Sequence, residues 1–210
     1  MTSLCLPARI EGDWAARHFS RPRFRNLFGL LARPVRVATA GAPAARIPPF
    51  VERLWLPAYA VCLHAVSNQG DRRVWTSVEG VCGEFSMFEC IEALAPRELD
   101  EDWFPPDINE TRAAELARKG LLKYVMSQRG QFNKPLVDAV EEIRLYYLPV
   151  WVLYYRRQGT FLDIKVLDGH TGKPGGAKTR VAVLNALVAA KKSRQSALPL
   201  SSPAQESETR

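Results

Sequence analysis

The sequence has few of the features that mark the commonest enzyme and membrane-protein classes. Its four cysteines form no CxxC pair and are too sparse in 210 residues for a disulfide framework, so we interpret them as reduced thiols. The longest apolar run is 11 residues, too short for a membrane-spanning helix, and the N-terminus lacks the apolar core of a secretory signal. We therefore expect a cytoplasmic, globular protein.

Catalytic and metal-binding patterns are also scarce. The three histidines accompany no GxSxG or Cys–His signature, which gives no support to nucleophilic catalysis. A metal site could be imagined from one histidine and three cysteines, but their spacing lacks the close pairs of structural zinc sites. Those four residues are Cys62, His64, Cys82 and Cys90. We expect buried thiols and a satisfied histidine, no metal, no cofactor, and a protein that is not an enzyme.

Acidic residues are absent between Trp14 and Arg46, a stretch that carries seven arginines and thus equals the net charge of +7. Arginine mixed with Phe and Leu is typical of a segment that contacts a protein, an anionic lipid or a nucleic acid. The candidate contact residues are Arg17, Arg21, Arg23, Arg25, Arg33 and Arg36. The alternative is a helix packed on the domain with its arginines in water.

The order of apolar runs and turn residues predicts five regions. They are a basic N-terminal segment (1–45), a first hairpin unit (46–92), a second unit of helix plus hairpin (93–180), a C-terminal helix (181–193) and a disordered tail (194–210). Pro22 and Pro34 restrict a helix in the basic segment to residues 23–32. Asn109 or Thr111 can cap a helix that runs to about residue 128 with an apolar stripe. An irregular connection is expected over residues 96–106.

A strand-pair pattern over residues 51–85 recurs over residues 143–174. Both copies read L-P-x-[YW]-x-[VL], a turn, a strand and then [DE]-G-x-x-G, with the second turn three residues shorter. The matched positions include Pro57 with Pro149, Tyr59 with Trp151, Glu79 with Asp168, Gly80 with Gly169 and Gly83 with Gly172. Several identities in the same order favour duplication over chance. We predict an α+β fold built from two related antiparallel β-hairpin units with flanking helices.

A helix followed by a strand pair that ends in V-L-D-G-x-T-G resembles the PepSY-type repeat, an α-β-β unit often found in tandem. The resemblance covers residues 109–172 and, more weakly, residues 54–83. It implies a binding or inhibitory module, and no functional residue is carried over from it.

The segment GKPGGAKT, Gly172 to Thr179, is similar to a phosphate-binding P-loop, which reads G-x-x-x-x-G-K-[ST] between a strand and a helix. Ala177 replaces the second required glycine, and the repeat already explains Gly169 and Gly172 as strand exits. A simpler anion site would use the N-terminus of the following helix with Lys173, Lys178 and Arg180. We therefore expect a binding or assembly module that acts through its basic N-terminal segment. The alternatives are a phosphate- or nucleotide-binding protein or small enzyme acting through residues 172–180, and self-association through an aromatic hairpin.

Overall fold

The computed structural model describes residues 2–20, 33–34, 51–67, 70–99, 103–127, 136–157 and 161–197. Seven strands have three or more residues: β1 (Thr2–Cys5), β3 (Val51–Ser67), β4 (Gly70–Glu79), β5 (Phe85–Met87), β6 (Ala95–Glu98), β7 (Leu136–Arg157) and β8 (Phe161–Asp168). A two-residue strand, β2 (Arg33–Pro34), completes the sheet. The α-helices are α1 (Gly12–Ser20), α2 (Glu110–Ser127) and α3 (Ala177–Ala197).

All described strands belong to one mixed sheet in which β3 and β7 form the central antiparallel pair. Their register runs from Val51 opposite Leu153 to Val66 opposite Leu136. The path along the sheet is β5-β4-β3-β7-β1-β6, and β2 and β8 also pair with β7. The β1–β7 pairing is parallel, whereas β3–β4 and β7–β8 are antiparallel hairpins. The α+β prediction is confirmed, and both hairpins belong to the same sheet.

The central strands are buried on both faces because helices cover each side of the sheet. On one face α2 packs against Tyr59 and Val61 of β3, and α1 packs against Trp151 of β7. Successive side chains of a strand point to opposite faces. Val150 and Val152, which flank Trp151, accordingly pack against α3 on the other face. This double coverage explains why the strand sequences are nearly continuous apolar runs.

The helix predicted after Asn109 is confirmed, and α2 has the expected cap. The Asn109 side-chain oxygen accepts a 2.9 Å hydrogen bond from the backbone N–H of Arg112, the N-cap contact that Asn favours. Its buried stripe contains Ala113, Ala117, Leu121 and Val125. Tyr124, predicted to belong to that stripe, is 43% exposed. At about 100° per residue, the Tyr124 side chain is rotated about 60° around the helix axis from Leu121 and about 100° from Val125, which brings it to the solvent side.

Four local predictions were wrong or lie outside the described residues. The helix predicted over residues 23–32 lies outside them, whereas the unpredicted helix α1 ends at Ser20. Ala15 is the only fully buried residue of α1, and the helix has nine residues, so its apolar side, with Trp14, Ala15 and Phe19, is short. The connection expected to be irregular contains strand β6, because β1 supplies a pairing partner distant in sequence. Helix α3 begins at Ala177, before the predicted start at Val181, and the tail after residue 197 is outside the described part.

Candidate functional site

The exit of the first hairpin is held by a close approach between two backbone segments. The Gly80 amide donates a 2.8 Å hydrogen bond to the Pro57 carbonyl oxygen. A Cβ added at Gly80 would lie 2.9 Å from that oxygen, closer than real Cβ contacts. Further along, the Ile108 amide donates to the Gly80 carbonyl oxygen over 3.1 Å, and the Tyr59 hydroxyl donates to the Ile108 carbonyl oxygen over 2.9 Å. These contacts attach the start of α2 to the hairpin.

The exit of the second hairpin has the same contacts. The Gly169 amide donates to the Pro149 carbonyl oxygen over 2.7 Å, and a Cβ at Gly169 would again lie 2.9 Å from that oxygen. The Ile10 amide donates to the Gly169 carbonyl oxygen over 2.9 Å, and the Trp151 indole Nε1–H donates to the Ile10 carbonyl oxygen over 2.9 Å. Here the attached helix is α1. Each hairpin therefore holds the start of a different helix on the same face of the sheet.

An acidic side chain organises each exit turn. The Glu79 carboxylate accepts hydrogen bonds from the amides of Val81 (2.8 Å) and Cys82 (2.6 Å). In the second turn Asp168 Oδ1 accepts from the amides of His170 (2.7 Å) and Thr171 (2.8 Å). Burial raises the pKa of Glu79 above its ordinary value despite those two hydrogen bonds. The acid of each [DE]-G-x-x-G motif thus has a structural role.

Glycine closes both turns for a conformational reason. Gly83 and Gly172 have φ angles of +74° and +72°, the left-handed region in which glycine is favoured. The Gly83 amide donates to the Glu79 carbonyl oxygen, and the Gly172 amide donates to the Asp168 carbonyl oxygen, each over 2.9 Å. The second glycine of each motif is therefore required by the turn itself.

A cleft of about 410 Å³ opens between the two exit turns, on the face of the sheet that α3 covers. Leu56 and Leu148, which lie opposite each other in the central strand pair, are part of its apolar lining. The rim is charged, and the Lys178 ammonium lies 2.6 Å from a carboxylate oxygen of Glu84. Polar lining residues are Ser77, Glu79, Asp168, Thr171, Lys173 and Thr179. The cleft can hold a small molecule that has both an apolar part and a polar group.

The predicted anion-binding residues are only partly brought together. Lys173 and Lys178 both line the cleft, and both are exposed. Arg180 is not among the lining residues; its Nε lies 3.3 Å from the Asp163 carboxylate. Because Lys178 pairs with Glu84, the positive charge available to an anion at the loop is reduced.

The P-loop resemblance does not extend to the backbone. The Gly175 amide donates to the Val166 carbonyl oxygen over 2.8 Å, and the Lys173 carbonyl oxygen accepts from the Asp168 amide over 2.9 Å. A phosphate-binding loop needs its amides to converge on the phosphate. Here part of the glycine-rich segment instead pairs with the end of β8.

The basic N-terminal segment is described at two of its six candidate arginines. Arg17 lies on the exposed side of α1, and its Nε donates to the backbone carbonyl oxygen of Asp13 over 3.3 Å. The backbone of Arg33 pairs with that of Arg156 in the short strand β2. Arg21, Arg23, Arg25 and Arg36 lie outside the described residues.

The cysteine and histidine candidates do not converge. Cys62 is buried, and its thiol lies 3.7 Å from a Glu141 carboxylate oxygen, whereas Cys82 is exposed beside Asn185 of α3. Burial raises the pKa of both thiols. Within the described ranges, no three His, Cys, Asp or Glu side chains are grouped so that they could hold a metal ion.

Sequence reasoning did not single out one surface, the outer side of α2. Leu122 and Met126 are 55% and 56% exposed there, beside Lys119 and Lys123. They directly follow the buried Leu121 and Val125, and this adjacency is the signal that could have identified them.

No family model, no curated protein and no solved structure matches this chain. Among the described helices, none combines the length and the apolar character needed to cross a membrane.

Proposed function

We propose that the protein is a non-enzymatic binding or assembly module that contacts a protein or polyanionic partner through its basic N-terminal segment. The observation that carries this proposal is the attachment of α1 to the fold. Ala15 is fully buried against Trp151 and Leu167, while Arg17 on the same helix is exposed. Because α1 is packed on the sheet, the first arginine of the basic segment has a fixed position relative to the rest of the fold.

The charge of the segment supports this proposal. Residues 14–46 contain seven arginines and no acid, so no carboxylate within the stretch reduces its attraction for an anionic partner. Residues 21–32 lie between α1 and β2, which pairs with β7. Both ends of that stretch are therefore attached to described elements.

We further propose that the two hairpin units are copies of one α-β-β unit. In chain order α1 precedes the β3–β4 hairpin, and α2 precedes the β7–β8 hairpin. This order supports the PepSY-type resemblance, which implies a binding module. Each helix contacts strands of both hairpins: α1 packs against β3 and β7 as well as Leu167 of β8, and α2 packs against β3, β4 and β7. The matched hydrogen bonds at the two exits support a common origin.

The experiment is affinity purification from the native host with charge-matched variants. Arg17, Arg21 and Arg23 are replaced by Gln in one variant, and Arg25, Arg33 and Arg36 in a second. The control replaces Arg9, Arg72 and Arg73, which are exposed cations elsewhere. We expect both arginine variants to lose the proteins or polyanions recovered with the wild type, and the control to retain them. Equal recovery by all variants would refute the proposal.

A second candidate is supported by the cleft. Lys173 and Lys178 line it at the N-terminal end of α3, where unpaired helix amides favour an anion. This candidate predicts that inorganic phosphate or a nucleotide raises the melting temperature, and that Lys178→Ala removes the shift. Lys178 is 74% exposed on its side chain, so loss of its ion pair should barely affect stability itself. No shift at millimolar ligand would exclude this use of the loop.

A further inference from the structure

The outer side of α2 combines exposed aliphatic side chains with cations. Leu122 and Met126 are one helical turn apart and are 55% and 56% exposed. Arg118 lies one turn before Leu122 on the same side of the helix, and Lys119 and Lys123 form the neighbouring row. The buried stripe of α2 supplies its contacts with the sheet, and the outer row is on the other side of the helix.

The row lies in a part of the sequence that has no acidic residues. From Leu116 to Val137 the sequence has five Lys or Arg residues and no Asp or Glu. Together with the stretch that begins on α1 at residue 14 it makes two acid-free basic stretches that include one of these helices; a third, residues 169–205, carries six Lys or Arg residues and includes α3. The only acid on the outer side of α2, Glu115, forms a 2.8 Å ion pair with Arg112 nearer the start of the helix.

Helices α1 and α2 cover the same face of the sheet, so both basic stretches begin on that face. The exits that hold the two helices have matching hydrogen bonds, and the central strands pair symmetrically about Leu56 and Leu148. A twofold axis between antiparallel strands is perpendicular to the sheet and maps each face onto itself. The two helices so related lie on the same face, and each has one fully buried alanine near its start, Ala15 in α1 and Ala113 in α2.

We propose that this face, formed by α1 and the outer side of α2, docks on the surface of an anionic lipid bilayer. The inference names the partner class of the proposed binding module and rests on that proposal. Leu122 and Met126 enter the boundary between headgroups and acyl chains. Arg17, Arg118, Lys119 and Lys123 contact the lipid phosphates and carboxylates.

The combination of side chains favours lipid over nucleic acid. Cations alone would suit either, but aliphatic side chains gain free energy by entering hydrocarbon and gain little on a phosphodiester backbone. Trp55, Tyr59 and Tyr147 are buried and cannot stack on bases; the exposed aromatic residues of the two helices, Trp14 and Tyr124, have amphipathic rings that suit the headgroup boundary of a bilayer.

The test is co-sedimentation of the full chain with vesicles of phosphatidylcholine alone and of phosphatidylcholine with phosphatidylserine. We expect binding only to the anionic vesicles, and weaker binding as salt is raised. The double variant Leu122→Ser with Met126→Ser should weaken binding roughly tenfold because apolar burial is lost. Replacing Lys119 and Lys123 by Gln should weaken it roughly fivefold for each charge removed.

Matched controls come from the opposite face of the sheet. Val188 on α3 is 54% exposed, and Val188→Ser should leave binding unchanged. Arg73→Gln on β4 is the charge control, because this side chain is 75% exposed and points to the face opposite α2. Circular dichroism and thermal melting check each fold, and single Leu122→Ser replaces the double variant if that variant melts early.

Several results would overturn the inference. One is equal binding to both kinds of vesicle or to neither; another is an equal loss with Val188→Ser. A third is tighter, salt-dependent binding to a DNA or RNA oligonucleotide that Leu122→Ser with Met126→Ser leaves unchanged. If the protein does not bind anionic vesicles while the arginine variants still lose their host partners, the lipid inference is wrong and the proposed binding module is supported. If the protein binds vesicles through α2 but the arginine variants keep all their host partners, the proposed contact through the N-terminal segment is wrong instead.

Discussion

Gly169 donates its amide hydrogen to the carbonyl oxygen of Pro149 over 2.7 Å, at the end of the β7–β8 hairpin. Gly80 and Pro57 form the same contact over 2.8 Å in the β3–β4 hairpin. In both places a Cβ on the glycine would lie 2.9 Å from the oxygen and 3.0 Å from the proline Cβ. Two backbone segments meet there at a distance that only glycine permits.

Alanine at either of these glycines should destabilise the protein. The added methyl group meets backbone atoms that cannot move independently, so we expect Gly80→Ala and Gly169→Ala each to cost about 1–3 kcal/mol. For a chain of this size the melting temperature should fall by about 2–4 °C per kcal/mol. Thermal unfolding followed by circular dichroism measures this. Gly176→Ala is the control, because no atom lies within 4 Å of a Cβ at that position. A control variant that melts as early as the other two would contradict the steric argument.

Replacing the buried alanine of either helix by leucine should lower the free energy of unfolding by a similar amount. Ala15 and Ala113 are both 0% exposed, so Ala15→Leu and Ala113→Leu must displace packed neighbours, at about 1–3 kcal/mol each. The neighbouring Ala16 and Ala114 are only half-buried, and leucine there should cost less. Urea unfolding gives the four free energies. A large cost at Ala113 with none at Ala15 would show that α1 does not pack on the sheet as α2 does.

Glu79 should make stability depend on pH in a defined direction. Burial raises its pKa in the folded protein above the unfolded value, so the folded state keeps this proton to higher pH. Stability is therefore lost as pH rises from the unfolded pKa through the folded pKa, and the penalty is absent below that window. Glu79→Gln cannot titrate, and it loses one amide acceptor at every pH. We expect its unfolding free energy, relative to wild type, to rise across the window and to be flat on either side. Parallel curves for the two proteins would refute the assignment.

The cysteines should differ in their reactivity with iodoacetamide. Cys5 is 2% exposed and burial raises its pKa to about 11, so at pH 8 about one thiol in a thousand is ionised. Cys62 is also 2% exposed, whereas Cys82 is exposed. We expect Cys82 to be alkylated well before Cys5 and Cys62 in the native protein, and all of them to react in urea. Mass spectrometry of tryptic peptides gives the order. Equal labelling of Cys5 and Cys82 without denaturant would be inconsistent with this packing.

Prediction from sequence succeeded where a segment's neighbours are close in sequence. The helix α2 has its cap at Asn109 and its buried row at three- and four-residue spacing, so local pattern suffices for it. Strand β3 was expected from its apolar run, and the structure extends it to Val51–Ser67. Glu52 and Arg53, which precede Leu54, are polar. They still belong to β3, because the hydrogen bonds that pair them with β7 are made by the backbone.

Prediction failed where a distant segment supplies the partner. Strand β6 exists because β1, some ninety residues earlier in the chain, pairs with it in antiparallel register. The burial of Ala15 depends on Trp151, on the far side of the sequence. Lys178 and Arg180 were expected to act together at the loop, but Glu84 and Asp163 pair with them separately. No pattern within a short window contains these contacts.

The amino-acid sequence alone determined the local conformations and the motif that the two hairpins share. Proline, glycine and the acid before it restrict the backbone wherever they occur, so their order predicts the turns. Only the tertiary structure decided which hairpin holds which helix, and that both helices cover one face. It also decided that Leu122 and Met126 remain exposed while Leu121 and Val125 are buried. Those outcomes depend on which surfaces the sheet offers, and the sheet is assembled from strands far apart in the chain.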